Sequence, residues 1–169
     1  LVMFILKKVY CRIFQKVFRI ALPLLPYRES EILESIELIP EVVVKNGCKK
    51  PIIVTDKGIV NLGLIDSLVE ALKKSEIPFA IYDETVPNPT TDNVAKAYDL
   101  YKKENCDCLI AFGGGSSMDC AKALGVQIVY PKKTLGQLKG ILKVHKKLPL
   151  LIAIPTTAGT GSEVTMWGT

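Results

Sequence analysis

The stretch LIAFGGGSSMDCAKALG, residues 109–125, decides the fold of this chain. Its apolar run predicts a buried strand, its three consecutive glycines predict a sharp turn, and the residues after them have helical spacing. A helix that begins after such a turn presents free N–H groups and the positive end of its dipole, which suits a phosphate. A tight turn without a ligand is also compatible with these residues, because Ser116 and Asp119 match a capping box.

On either side of this stretch, short apolar runs alternate with segments of helical period. Strands are predicted at residues 51–56, 77–83, 106–112 and 148–155. Helices are predicted at residues 63–76, 91–105 and 116–128, the second of them capped by Thr91 or Asp92. A short helix closed by Gly47 is expected before the first strand, although the valines there also suit a strand. The alternation predicts an α/β fold with a doubly wound, mostly parallel sheet.

The loops after the predicted strands are rich in glycine, proline and hydroxyl residues. Because the carboxyl ends of parallel strands share one edge, these loops are expected to form one crevice. Asp56 ends the first strand, and its carboxylate suits the ribose hydroxyls of an adenosine; it suits the start of a helix equally well. The glycines follow the third strand, which departs from the usual dinucleotide fingerprint, and no Gly-Lys-Ser/Thr follows them, which excludes a P-loop.

Composition and charge exclude several classes of function. The chain has 169 residues and a net charge of +5, and no aromatic residues interleave with its basic clusters, so nucleic-acid binding is not expected. Its single histidine, His145, is expected at the surface and excludes a multi-histidine metal site in this chain. The five cysteines form no Cys-x-x-Cys, and their odd number favours reduced thiols in the cytoplasm. Cys106 and Cys108 are expected to be buried as small apolar residues, in preference to binding a metal, and no metal site is expected in this chain.

The first 25 residues are strongly apolar but are interrupted by basic side chains. Lys8, Arg12, Lys16 and Arg19 share one face of a predicted helix, and these charges exclude a membrane-spanning segment. Packing against the protein or a partner subunit is the favoured interpretation; a weak contact of residues 1–25 with a membrane surface is the alternative. The predicted organisation is a basic amphipathic helical extension at residues 1–30 and a dinucleotide-binding α/β domain at residues 31–169.

Taken together, four motifs resemble the iron-containing (group III) alcohol dehydrogenases: VTDKGI, DETVPNPT, FGGGSSMDCAKALG and AIPTTAGTGSEVT. The resemblance runs from about residue 40 to the end and implies a dehydroquinate synthase-like N-terminal domain that binds NAD in preference to NADP. It implies that Asp56 binds the adenosine ribose and that Asp119 lies near the nicotinamide and the substrate. It further implies that the cleft and the pyrophosphate are contacted by Asn88, Gly114, Gly115, Ser116, Thr156, Thr157, Thr160 and Ser162.

The resemblance also implies what lies outside these residues. Members of the family are about twice as long, and their helical C-terminal domain holds Fe²⁺ or Zn²⁺ with one Asp and three His. This chain is therefore expected to be the NAD-binding half of a homodimeric enzyme, without the metal domain and inactive alone. The whole enzyme would transfer hydride between a small alcohol or aldehyde and NAD. The alternatives are part of a glycerol dehydrogenase-like zinc enzyme, or a non-catalytic nucleotide-binding protein associated with a membrane surface.

Overall fold

The computed structural model describes residues 2–21, 31–138, 143–159 and 161–162. The chain divides into two compact units, Leu1–Ile32 and Leu33–Thr169. Within the first unit, the predicted N-terminal helix is present as α1 (Val2–Ala21). Among the described residues, no helix has both the length and the apolar character that crossing a membrane requires.

The second unit contains a four-stranded sheet in which every strand pair is parallel. The strands are β1 (Pro51–Val54), β2 (Ala80–Tyr82), β3 (Cys108–Gly113) and β4 (Leu151–Pro155). The helices are α2 (Ile39–Lys45), α3 (Lys57–Asn61), α4 (Asp66–Lys74), α5 (Thr91–Lys103) and α6 (Gly115–Val129). Short 3₁₀ turns occupy Ile36–Leu38 and Leu135–Leu138. The predicted α/β fold with a parallel sheet is confirmed.

Each face of the sheet has its own apolar core. On β1, the side chains of Ile52 and Val54 belong to the cluster that includes residues of α5 and α6, whereas Ile53 belongs to the cluster that includes residues of α2 and α4. Successive side chains of a strand point to opposite faces, so a strand with all four residues buried must be covered on both sides. The doubly wound arrangement is therefore confirmed as well.

The strand order β2-β1-β3-β4 places a topological switch point between β1 and β3. From β1 the chain moves outward to β2, then returns across β1 to β3 and continues outward to β4. Loops that leave β1 and β3 in opposite directions open a crevice between them, where ligands of such sheets bind. The residues that follow Val54 and Gly113 are therefore the candidates for a ligand site.

Several helix boundaries differ from those predicted. The cap of α5 is Thr90 instead of Thr91 or Asp92, and Asn93 completes its capping box. The capping box that Ser116 and Asp119 offered as an alternative is not formed, since α6 begins at Gly115 with the extended residue Gly114 as its cap. Ser116 is therefore already the second residue of the helix and lies too far inside to cap it. The helix before β1 is present as α2, as expected.

Candidate functional site

The turn between β3 and α6, residues 113–115, is called the glycine turn below. Gly113 has a φ of 143°, and a Cβ added to it would lie 2.5 Å from Ser117 Oγ. Only glycine fits at this position, because a side chain would be strained and would collide with the helix. Gly114 caps α6 without any side-chain hydrogen bond, so the N–H groups of the first turn have no side-chain cap and can bind a ligand.

The loop after β4 closes against the glycine turn. The backbone N–H of Thr156 donates to the carbonyl of Gly113 over 2.9 Å. The hydroxyl of Thr157 would be 3.3 Å from a Cβ added to Gly114. The structure therefore brings Thr156 and Thr157 to the glycine turn. Ser162 is half-buried, and Thr160, the fourth predicted residue of this loop, lies outside the described residues.

Asp56 has two contacts at the switch point. Its Oδ1 accepts a hydrogen bond of 3.1 Å from the N–H of Ile59 and so caps α3, a helix that the sequence analysis did not predict. Its Oδ2 would be 3.7 Å from a Cβ added to Gly113. The helix-starting role that the sequence allowed is thus confirmed, and the second carboxylate oxygen lies beside the glycine turn. The Asp56 carboxylate can cap α3 with one oxygen and face the glycine turn with the other, because each oxygen has its own lone pairs.

The loop after β2 is tied to the same edge of the sheet through Glu84, which forms an isolated antiparallel bridge with Asp56. Lys96 Nζ lies 3.0 Å from Glu84 Oε2 and lowers the pKa of the Glu84 carboxyl. Asn88, farther along this loop, is exposed and adopts a φ of 54°. No hydrogen bond within the described part of the chain joins its side chain to the glycine turn, so its role in the cleft stays a prediction.

Asp119 lies on α6, three residues after Ser116 and hence on the same helix face. Both residues are half-buried. The Asp119 carboxylate lies 3.8 Å from the ammonium of Lys122. A carboxylate paired with a cation near the cleft can position a polar ligand, which is compatible with the predicted place near the nicotinamide.

Three buried hydroxyls near this edge were not among the predicted site residues. Thr55 Oγ1, Thr85 Oγ1 and Ser117 Oγ have no hydrogen-bond partner among the described residues. Burying a hydroxyl without a partner costs about 1–3 kcal/mol, so proteins retain such groups mostly where they serve a purpose. In the sequence, Ser117 is visible only as the second serine after the glycines. Its contact with the glycine turn follows from the close approach of Gly113 in the folded structure.

A family model described as "Iron-containing alcohol dehydrogenase" matches residues 33–169. The chain belongs to this family. It is 44% identical over 129 residues to choline dehydrogenase of Bacillus subtilis (strain 168), covering 75% of this chain and 32% of that protein. The structure of a 1,3-propanediol oxidoreductase is similar with a TM-score of 0.73 and 35% identity, covering 77% of this chain and 34% of that one.

A structure of sulfoacetaldehyde reductase from Bifidobacterium kashiwanohense in complex with NAD⁺ is also similar. The TM-score is 0.64 and the identity 31%, with 77% of this chain and 34% of that one covered. The chain thus spans about a third of the length of these relatives. The similarity confirms the predicted family, and it confirms that this chain corresponds to the N-terminal part of the family's proteins.

The residues of the crevice fit a dinucleotide and do not fit the metal of the family. The backbone of the glycine turn carries no side chain, and the uncapped amides and buried hydroxyls beside it suit a pyrophosphate. The metal ligands implied by the family resemblance, one Asp and three His, need histidines that this chain lacks. Its one histidine, His145, is exposed as predicted and donates its backbone N–H to Tyr130 Oη over 2.9 Å.

Proposed function

We propose that this chain is the NAD-binding part of a metal-dependent alcohol dehydrogenase. The observation that carries the proposal is the glycine turn at the β1/β3 switch point, bordered by Asp56 and Thr157. In the whole enzyme, NAD accepts hydride from a small alcohol or returns it to an aldehyde. The enzyme is a cytoplasmic homodimer, and the Fe²⁺ or Zn²⁺ belongs to residues outside this chain.

The proposal assigns a task to each predicted residue. The backbone N–H groups of Gly115 and Ser116 bind the pyrophosphate with Gly114, and the dipole of α6 adds a favourable positive potential. The Oδ2 of Asp56, which does not take part in the cap of α3, accepts from the adenosine ribose, and the same negative charge disfavours NADP by repelling a 2′-phosphate. Asp119 lies near the nicotinamide. The cleft is completed by Asn88, Thr156, Thr157, Thr160 and Ser162.

The first experiment tests the glycine turn with NADH fluorescence. In Gly114→Ala the new Cβ lies 3.3 Å from Thr157 Oγ1 in a backbone that tolerates alanine, so the fold survives while a methyl group is added between the glycine turn and Thr157. We expect the affinity for NADH to fall at least tenfold, equivalent to about 1.4 kcal/mol. Gly136→Ala is the control, because its Cβ meets nothing closer than 4.0 Å. Folded protein that binds no NADH, or equal affinities in both variants, contradicts the proposal.

A second experiment separates the two roles of Asp56. Asparagine is as good a helix cap as aspartate, so Asp56→Asn retains the hydrogen bond to Ile59 and loses only the charge. We expect the preference for NADH over NADPH to decrease while the free energy of unfolding stays nearly constant. Asp56→Ala is the comparison variant, which loses the cap as well. An unchanged cofactor preference in Asp56→Asn shows that the carboxylate does not discriminate between the two.

The exposed apolar face of α1 favours a second candidate function, contact with an anionic membrane surface. The basic residues Lys8, Arg12, Lys16 and Arg19 form one stripe on this helix. The other side carries large apolar side chains that are 46–74% exposed: Val9, Tyr10, Ile13, Phe14, Val17 and Ile20. A helix with these two faces adsorbs in the plane of an anionic bilayer.

Co-sedimentation with phosphatidylserine vesicles tests this candidate. We expect salt-sensitive binding that is lost when residues 1–25 are deleted and strongly reduced in Ile13→Asp. Tyr10→Phe is the matched control, because it preserves the apolar face. Binding that is unaffected by the deletion, or equal for neutral and anionic vesicles, contradicts the idea and favours a helix that packs on protein.

A further inference from the structure

A second group of polar side chains lies at the opposite edge of the sheet, where the strands begin. Cys48 precedes β1, while Asp107 and Cys108 stand at the start of β3. One ligand atom from each of the three lies within 4.8 Å of the other two. The sheet produces this proximity, since Pro51 pairs with Cys108 and the N–H of Asp107 donates to the Lys50 carbonyl over 3.0 Å.

The Asp107 carboxylate is held in place by the backbone beside Cys48. The N–H of Lys49 donates to Asp107 Oδ2 over 2.7 Å, and the N–H of Lys50 donates to Oδ1 over 3.0 Å. Each oxygen accepts one of these bonds and retains a further lone pair for another partner. Hydrogen bonds of this kind fix a carboxylate in the way that outer-shell partners fix the ligands of metal sites.

The three side chains differ in burial, and one side of the cluster is exposed to solvent. Cys108 is fully buried and closes the inner side, Cys48 is half-buried, and Asp107 is exposed to solvent. Two sulfurs and one carboxylate oxygen are donors that a divalent cation such as Zn²⁺ accepts, with a water molecule as the fourth ligand. The exposed side of the cluster is therefore the side of Asp107.

We propose that Cys48, Asp107 and Cys108 bind one thiophilic divalent cation, with Zn²⁺ as the physiological class. Both thiols lose their protons to solvent when the ion binds, and no electron is transferred. The ion links the start of β1 to the start of β3 and so stabilises the fold. This proposal does not depend on the proposed function, since none of its residues belongs to the crevice.

Cd²⁺ is the probe, because its bond to a thiolate produces an ultraviolet charge-transfer absorption that carboxylate and histidine ligands do not. The full chain is titrated with Cd²⁺ in a phosphine reductant, with Cys11→Ser as the background to remove an exposed thiol. We expect the absorption to saturate at about one equivalent of Cd²⁺ and to disappear when EDTA removes the ion. Folded protein without the absorption overturns the proposal.

Three variants identify the ligands. Cys48→Ala and Asp107→Asn are expected to weaken Cd²⁺ binding by more than the roughly 10- to 100-fold that follows loss of an outer-shell partner. Cys106→Ala is the matched control, since this thiol is also buried but belongs to the core on the other face. Equal affinities of Cys48→Ala and Cys106→Ala, each folded by circular dichroism, overturn the proposal. NADH titration of the same samples reports separately on the crevice.

Discussion

The substitution Gly113→Ala tests the physical basis of the glycine turn. The new Cβ would lie 2.5 Å from Ser117 Oγ, well inside van der Waals contact, and the backbone φ of 143° is one that alanine rarely adopts. Backbone strain of this kind costs about 1–3 kcal/mol, and overpacking a rigid site costs about the same again. We therefore expect the free energy of unfolding to fall by about 4 kcal/mol, a large part of the total stability of a domain.

Urea denaturation followed by circular dichroism measures this effect. With an m-value of about 2 kcal/mol/M, the expected loss lowers the midpoint by about 2 M. Gly125→Ala, within α6, is the control, because its Cβ would lie 3.3 Å from the flexible end of the Leu109 side chain. The control is expected to lose less than half as much stability.

A double variant divides the cost into its two parts. Ser117→Ala removes the oxygen with which the new Cβ collides but leaves the Ser117 Cβ position at 3.1 Å and the unfavourable φ unchanged. In this background, Gly113→Ala should cost about 1–3 kcal/mol, the strain alone. If Gly113→Ala unfolds at the wild-type midpoint, or if Ser117→Ala gives no relief, the close approach of Gly113 to α6 is not the reason for glycine here.

Three further outcomes are expected. Thr55→Val should stabilise the protein by about 1 kcal/mol in thermal unfolding, because it removes a buried hydroxyl that has no partner among the described residues; a loss of stability shows that the hydroxyl has one. Thr90→Ala should cost about 1 kcal/mol and Thr90→Ser almost nothing, since serine retains the cap of α5; equal losses contradict a capping role. Burial raises the pKa of the Cys120 thiol above 9.0, the ordinary pKa of a cysteine. The unfolded chain therefore loses this proton at a lower pH than the folded protein, and the free energy of unfolding falls as the pH rises above 9.0. Unfolding measured against pH should show a smaller decline in Cys120→Ala, with Cys11→Ala, an exposed thiol, as the unaffected control.

The architecture and the location of the crevice could be predicted from the sequence because both depend on local periodicity. Buried strands read as continuous apolar runs, and the helices between them repeat their apolar residues at helical spacing. In a parallel sheet, chain order alone then places the strand-end loops on one edge. Asp56, the glycine turn and the threonines after β4 were found in this way, and the structure brings these residues together.

Details that depend on distances of an ångström or less could not be predicted. The alternative of a capping box at Ser116 does not apply because the extended Gly114 starts α6 earlier, which is a choice between neighbouring backbone conformations. The helix α3 was not predicted, since its 5 residues are too few to show a helical period. Ser117 was not selected because its burial against Gly113 follows from the turn and not from its residue type.

By itself, the sequence determined that this chain is an α/β domain of the iron-containing alcohol dehydrogenase family with a glycine turn between a strand and a helix. Only the tertiary structure decided which oxygen of Asp56 caps α3 and which lies beside the turn. Only the tertiary structure placed Asp107 against the backbone of Lys49, 58 residues away along the chain, and thereby gathered the cluster with Cys48 and Cys108. The reason is that periodicity is a property of neighbouring residues, whereas contacts between distant residues exist only after the strands have paired.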